Sequence, residues 1–185
     1  MANSKHLELL KLGVEGWNKW RERNPFSRLD FSGVDLSYTS LSKIYLSEAD
    51  FSEANLAGAD LSGARLRNAD LRKANLNGTN FSGADLRKAN FAGADLSYAN
   101  LSNADLTNAD LSYSNLVQAE VNNAKISKTK IYGVSVWDLR GEFKDQEELI
   151  ITPDGESVIT IDNIKVAQFI YLLLNNKEVR DVINT

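Results

Sequence analysis

Hydroxyl and carboxyl groups are the side chains in this chain most capable of chemistry. A serine becomes a nucleophile only when a neighbouring base takes its proton. The single histidine, His6, falls at the start of a predicted N-terminal helix, where a solvent-exposed structural role is expected. The serines instead recur at regular positions that no base accompanies. Asp50, Asp70 and Asp110 also recur, at multiples of twenty residues, and grouped carboxylates are what a hard divalent cation needs. A repeating architecture explains that spacing without a metal. Cysteine is absent, which removes disulfides and thiolate metal sites. No glycine-rich phosphate loop follows a strand and opens a helix. The expectation is therefore no catalytic residue, no cofactor and no metal. The remaining chemical feature is a run of cations: Arg65, Arg67, Arg72, Lys73, Arg87 and Lys88. These could contact an acidic partner, or form a solvated, ion-paired face.

What positions these residues is a period of five. An apolar residue returns at every fifth position from Phe31 to Val136, giving 22 units with 14 Leu, 4 Phe and 4 Val or Ile. Two positions earlier stands Ala in 14 of the 22, and one position earlier Asp or Asn in 15. The unit reads Ala-(Asp/Asn)-Leu-polar-(Gly/polar). On an α-helix five steps drift by about 140°, so the leucines would scatter around every face. On a continuous strand an odd period would alternate them between faces. Both conflicts vanish if the chain turns a corner in each unit. Ala and Leu then point inward and Asp/Asn outward. The last two residues make the corner, where glycines such as Gly58 tolerate unusual φ.

This pattern resembles the pentapeptide-repeat family over residues 29–138. The resemblance implies an all-β solenoid, a right-handed quadrilateral β-helix with one unit per side and about five and a half coils. At about 4.8 Å per coil the rod is about 26 Å long. Residues twenty apart should stack, so Phe31, Phe51, Leu71, Phe91, Leu111 and Ile131 form one predicted column. Leu36, Leu56, Leu76, Leu96, Leu116 and Val136 form the next.

The flanks read differently. Residues 1–28 are predicted to form an N-terminal α-helical cap, a helix from Ser4 to Arg23 with the apolar stripe Leu7, Leu10, Val14, Trp17 and Trp20. Asn24-Pro25 ends it. It suits a lid over the first coil or, alternatively, a partner-binding helix. Residues 139–185 form a predicted C-terminal hairpin and helical cap or connector. Glu148–Thr152 and Ser157–Ile161 are β-prone around the Pro153-Asp154-Gly155 turn. Asp162 is the expected cap of a helix over 163–174, apolar on nearly every side and so expected to be buried on every side. Its Ile164, Phe169, Ile170, Leu173 and Leu174 are a candidate interface, for self-association or a protein partner. A further helix is expected over Glu178–Ile183.

The segment Gly13–Arg21 is also similar to the N-terminal segment of many bacterial pentapeptide-repeat proteins. The block from Val136 to Asp181 resembles the connector that in larger members precedes a further domain, commonly of Toll/interleukin-receptor-like kind. The resemblance implies a non-enzymatic scaffold or protein–protein interaction module, in the N-terminal part of a larger signalling or defence protein. Its alternative is a DNA mimic that binds DNA gyrase. Mimicry asks for dense negative charge. Residues 29–136 carry 12 acidic and 10 basic side chains, which argues against it. The net charge of −4 gives no reason to expect direct nucleic-acid binding. The longest apolar run, Val166 to Leu174, is too short to span a bilayer, and a cytoplasmic location is expected.

Overall fold

The computed structural model describes residues 4–175. The element order is α1 (Ser4–Leu10), α2 (Gly13–Arg23), the coiled repeat, β1 (Leu149–Ile150), β2 (Thr160–Ile161) and α3 (Ile164–Asn175).

The outward residue of each unit from Asp30 to Lys130 forms a parallel bridge with the residue twenty positions on, from Asp30↔Asp50 to Lys130↔Ile150. A bridge every five residues to a partner twenty away defines four sides per coil. We name each face by its first core residue: Phe31, Leu36, Leu41 and Leu46. The ladder does not stop at Asp138, where the sequence repeat fades. Arg140, Asp145 and Ile150 still bridge back to Glu120, Lys125 and Lys130, so backbone pairing outlasts the side-chain pattern.

Each corner has the pattern of a type II turn, with positive φ at its second turn residue. In one unit the Ala54 N–H donates to the Phe51 carbonyl at 3.0 Å, and Glu53 between them has φ 59°. The Asp/Asn preference has a cause beyond pointing outward. Its side-chain oxygen accepts the turn N–H two residues on, as from Ser52 to Asp50 at 3.0 Å and from Ser82 to Asn80 at 3.1 Å. This is the Asx arrangement. Where Thr or Ser replaces Ala, the hydroxyl satisfies a backbone carbonyl: the buried Thr79 hydroxyl donates to Leu56 O at 2.8 Å.

The core is the predicted set of columns. Phe31, Phe51, Leu71, Phe91, Leu111 and Ile131 are all buried, and the Phe31 and Phe51 rings stack at 5.0 Å and 12°. Each buried Leu or Phe contributes roughly 1.5–3 kcal/mol before chain entropy is subtracted.

The predicted single N-terminal helix is two. Gly13 adopts φ +76°, which interrupts the helix between α1 and α2, while Gly16 lies inside α2, where the Leu12 side chain leaves no room for a Cβ. The cap covers the Phe31 and Leu46 faces. Leu36, first of its column, is therefore only half-buried.

At the other end β1 and β2 pair antiparallel, Leu149 with Ile161 and Ile150 with Thr160. This is the expected hairpin in a shorter form. The helix cap is Asn163 rather than Asp162. Asn163 Oδ1 accepts from the Lys165 and Val166 N–H groups at 3.0 and 3.1 Å, while Asp162 accepts from Glu148 N at 2.9 Å. The expected helix over Glu178–Ile183 lies outside the described residues. No helix among the described residues is long and apolar enough to cross a membrane.

Candidate functional site

The six predicted cations do not form one patch. Arg65 projects from the Leu46 face, and Arg67, Arg87 and Lys88 occupy the corner that follows it. Arg72 and Lys73 stand on the next corner. Between the two corners runs the Phe31 face with Asp50, Asp70, Asn90 and Asp110 outermost. Arg67 and Arg87 are stacked as their spacing predicts: Glu48 N donates to Arg67 O at 2.9 Å and Asn68 N to Arg87 O at 3.0 Å.

Most of this charge is already engaged. Arg72 grips Asp70 through Nε at 2.8 Å and Nη2 at 2.5 Å. Arg87 grips Asp85 through Nε at 2.7 Å and Nη2 at 2.6 Å, with Arg67 approaching the same carboxylate at 3.4 Å. Hydrogen bonds from these guanidinium groups hold Asp70 and Asp85 below the usual carboxylate range. Arg65 lies over the Tyr45 ring, 4.0 Å from its centroid. Asp70 and Asp85 thus engage three of the arginines, and the Arg65 guanidinium rests on an aromatic face.

Several of the carboxylates and hydroxyls are also occupied, although the buried Ser102 hydroxyl has no partner among the described residues. Asp50 accepts the Ser52 hydroxyl at 2.6 Å, and Asp105 accepts the Thr107 hydroxyl at 2.6 Å. Asp110 accepts from Ser112 N at 2.9 Å. Among the described residues no three His, Asp or Glu side chains gather in a way that would hold a metal ion. His6 is not exposed. It is 6% accessible, closed in by Trp17, Trp20 and Phe31.

The more open chemistry is at the C-terminal end. The helix that was expected to be buried on every side buries Ile164, Ala167 and Gln168 only. Ile164 therefore belongs to the closure of the rod. Tyr171 pins the helix from the side by packing on Tyr132 at 5.1 Å, which in turn meets Tyr113 at 5.4 Å. Of the other candidate interface residues, Phe169 and Leu174 are exposed, and Ile170 and Leu173 are half-buried. Trp137, which follows the last core residue of the repeat, is 59% exposed. With Phe169 and Leu172 it lines an open groove of about 390 Å³ between the last coils and α3, joined there by Val136, Leu139 and Gln168. Its position one residue past a repeat core residue, on a corner, was the available signal.

The sequence matches the description "Pentapeptide repeats" over residues 30–68, 64–103, 89–127 and 99–136. The chain belongs to the pentapeptide repeat family, and its coil is the right-handed quadrilateral β-helix of that family. Among solved structures it is similar to QnrB1, a plasmid-mediated fluoroquinolone resistance protein. The identity is 25%, the TM-score 0.51, and the match covers 62% of this chain and 68% of that one. It is also similar to the pentapeptide repeat protein Rfr23 from the cyanobacterium Cyanothece 51142, at 26% identity and TM-score 0.38 over 68% and 97% of the two chains. A pentapeptide repeat protein from the Arabidopsis thaliana thylakoid lumen matches at 27% identity and TM-score 0.34 over 75% and 90%. No curated protein matches the sequence.

Proposed function

We propose that this chain is a non-enzymatic scaffold that binds protein through the C-terminal end of its rod, within a larger signalling or defence protein. The observation that carries this reading is the groove beside α3. Trp137, Phe169 and Leu172 are large, apolar and exposed around one concavity. Exposed aromatic anchors around a pocket are the usual centre of a protein interface. The ion-paired arginines support a rigid support rather than the docking face itself. The test is light-scattering chromatography of the wild-type chain and of Phe169→Asp over a range of concentrations. Mass that rises with concentration in the wild type, and not in the variant, supports self-association there. A constant monomer mass in both, together with a native polypeptide that ends at Thr185, would sink the module reading.

A second reading has one observation in its favour, the similarity to a fluoroquinolone resistance protein. Under it the chain would bind DNA gyrase as a duplex mimic, using the outward column Asp30, Asp50, Asp70 and Asp110 on the Phe31 face. The flanking Arg72, Arg67 and Arg87 oppose it. A gyrase supercoiling assay unchanged at high concentrations of the chain removes this reading.

A further inference from the structure

The N-terminal cap holds a titratable group that the scaffold does not use. His6 sits on α1 with its imidazole against Trp17 at 6.4 Å, Trp20 at 5.8 Å and Phe31 at 5.9 Å, measured between ring centroids. Its Nδ1 is buried and has no hydrogen-bond partner among the described residues. A neutral imidazole tolerates this box, since it carries one N–H donor and one acceptor and no net charge. An imidazolium has two donors and a charge, and would leave an N–H unsatisfied in an apolar enclosure.

The two cap helices are held differently. α2 is fastened to the first coil by polar contacts: Trp17 Nε1 to Tyr45 O at 2.8 Å, Asn18 Nδ2 to Lys43 O at 3.0 Å, and Arg21 Nη2 to Ser47 O at 3.1 Å. α1 rests on Leu7, Leu9, Leu10 and His6, packed on the core. It is seven residues long, too short to persist as a helix in water on its own.

We propose that His6 makes α1 an acid-released lid: closed while the imidazole is neutral, and lifted from Phe31 and Trp17 when it takes a proton. Charged groups reach the imidazole from each element around it. Asp30 on the first coil favours the proton, while Lys5 on α1 and Arg21 on α2 disfavour it. Burial adds to the disfavouring side and outweighs Asp30, so the folded imidazole titrates below its ordinary value of 6.5. The unfolded or lifted state therefore binds the proton more readily. By linkage α1 loses stability as pH falls from about 7 through the ordinary value toward the lower folded one. Opening would uncover the sides of Trp17, Trp20 and Phe31 that His6 covers, while α2 stays on the first coil.

His6 is the only histidine, which makes the test direct. The full chain carrying Trp137→Phe keeps Trp17 and Trp20 as its only tryptophans, so its emission reports the cap. Three readouts are expected between pH 7.5 and 5. The imidazole resonances titrate below their ordinary midpoint. Tryptophan emission shifts to the red with the same midpoint. Amide protection across residues 4–10 falls at least tenfold relative to the mid-rod amides, beyond the intrinsic pH dependence of exchange. His6→Phe, which fills the box and cannot be protonated, should abolish the emission shift and the loss of protection. His6→Gln is the second variant should the larger ring not be accommodated. An imidazole midpoint at or above the ordinary value overturns the proposal. So does protection of residues 4–10 that is unchanged by pH, or an identical pH response in wild type and variants.

Discussion

The Trp17 indole N–H donates to the Tyr45 carbonyl at 2.8 Å, across the seam where a preceding coil would otherwise lie. In the rod, the Tyr45 position pairs with residues twenty before and twenty after it. At the first coil there is nothing before it, and helix side chains take over. Asn18 Oδ1 accepts the Tyr45 N–H at 2.9 Å, its Nδ2 reaches Lys43 O, and Arg21 reaches Ser47 O. Three side chains on two helical turns thus mimic one strand and close an edge that would template aggregation. Trp17→Phe keeps most of the apolar contact but orphans the Tyr45 carbonyl. It should cost roughly 1–3 kcal/mol, read as a lower unfolding midpoint, and Trp20→Phe should cost less.

Two glycines separate backbone strain from contact. Gly58 and Gly78 have nearly the same φ, +65° and +63°, but a Cβ on Gly58 would meet the Tyr38 ring whereas one on Gly78 meets nothing. Gly78→Ala should cost about 1 kcal/mol, the strain of a left-handed residue. Gly58→Ala should cost that and also displace Tyr38, which is already 84% exposed. Equal denaturation midpoints for the two variants would show that the ring contributes nothing.

Inside and outside differ by far more. Leu76 is fully buried at mid-rod, while Ser82 stands on a corner with its side chain half-exposed. Leu76→Asp removes a buried apolar side chain and places a carboxylate where no partner exists, so thermal unfolding should fall by tens of degrees or folding should fail. Ser82→Asp should shift the midpoint by only a few degrees.

Acid should weaken the rod through its arginine-paired carboxylates. Hydrogen bonding from Arg72 and Arg87 holds Asp70 and Asp85 below their ordinary 3.8 in the folded chain. Such groups stabilise the fold above the ordinary value, and that stabilisation is lost as pH falls through the lower folded value. Asp85→Asn should therefore lower stability at pH 7 and flatten the loss between about pH 4 and 2. Denaturant titrations at several pH values read both effects.

The coiled interior was legible because its cause is local. A five-residue unit with one inward Leu, one inward Ala and a turn repeats its own geometry, whereas the four sides and the twenty-residue stacking of Phe31 on Phe51 were implied by the resemblance to the family and are what the bridges show. The Asx role of Asp50 or Asn80 was equally local but hidden, since composition records that an oxygen is present and not which N–H it accepts. The terminal helices depended on distant partners. His6 looked exposed because nothing near it in sequence announces Phe31, and the break at Gly13 depends on how the cap meets the first coil.

The same division holds for the candidate sites. The sequence grouped Arg65, Arg67, Arg72, Lys73, Arg87 and Lys88 within two coils and stacked Arg67 on Arg87, while the structure divides the six between one face and two corners. Whether they were available depended on atoms one strand or one turn away, where Asp70, Asp85 and the Tyr45 ring engage four of the six. The apolar excess of α3 was visible in its composition. Only the tertiary arrangement turned Ile164 inward, left Phe169 outside and set it beside Trp137. By itself the sequence determined the repeating interior, because burial there is periodic and decided within each unit. The tertiary structure decided the ends and the surface, because there a side chain's surroundings are set by segments that the local pattern does not encode.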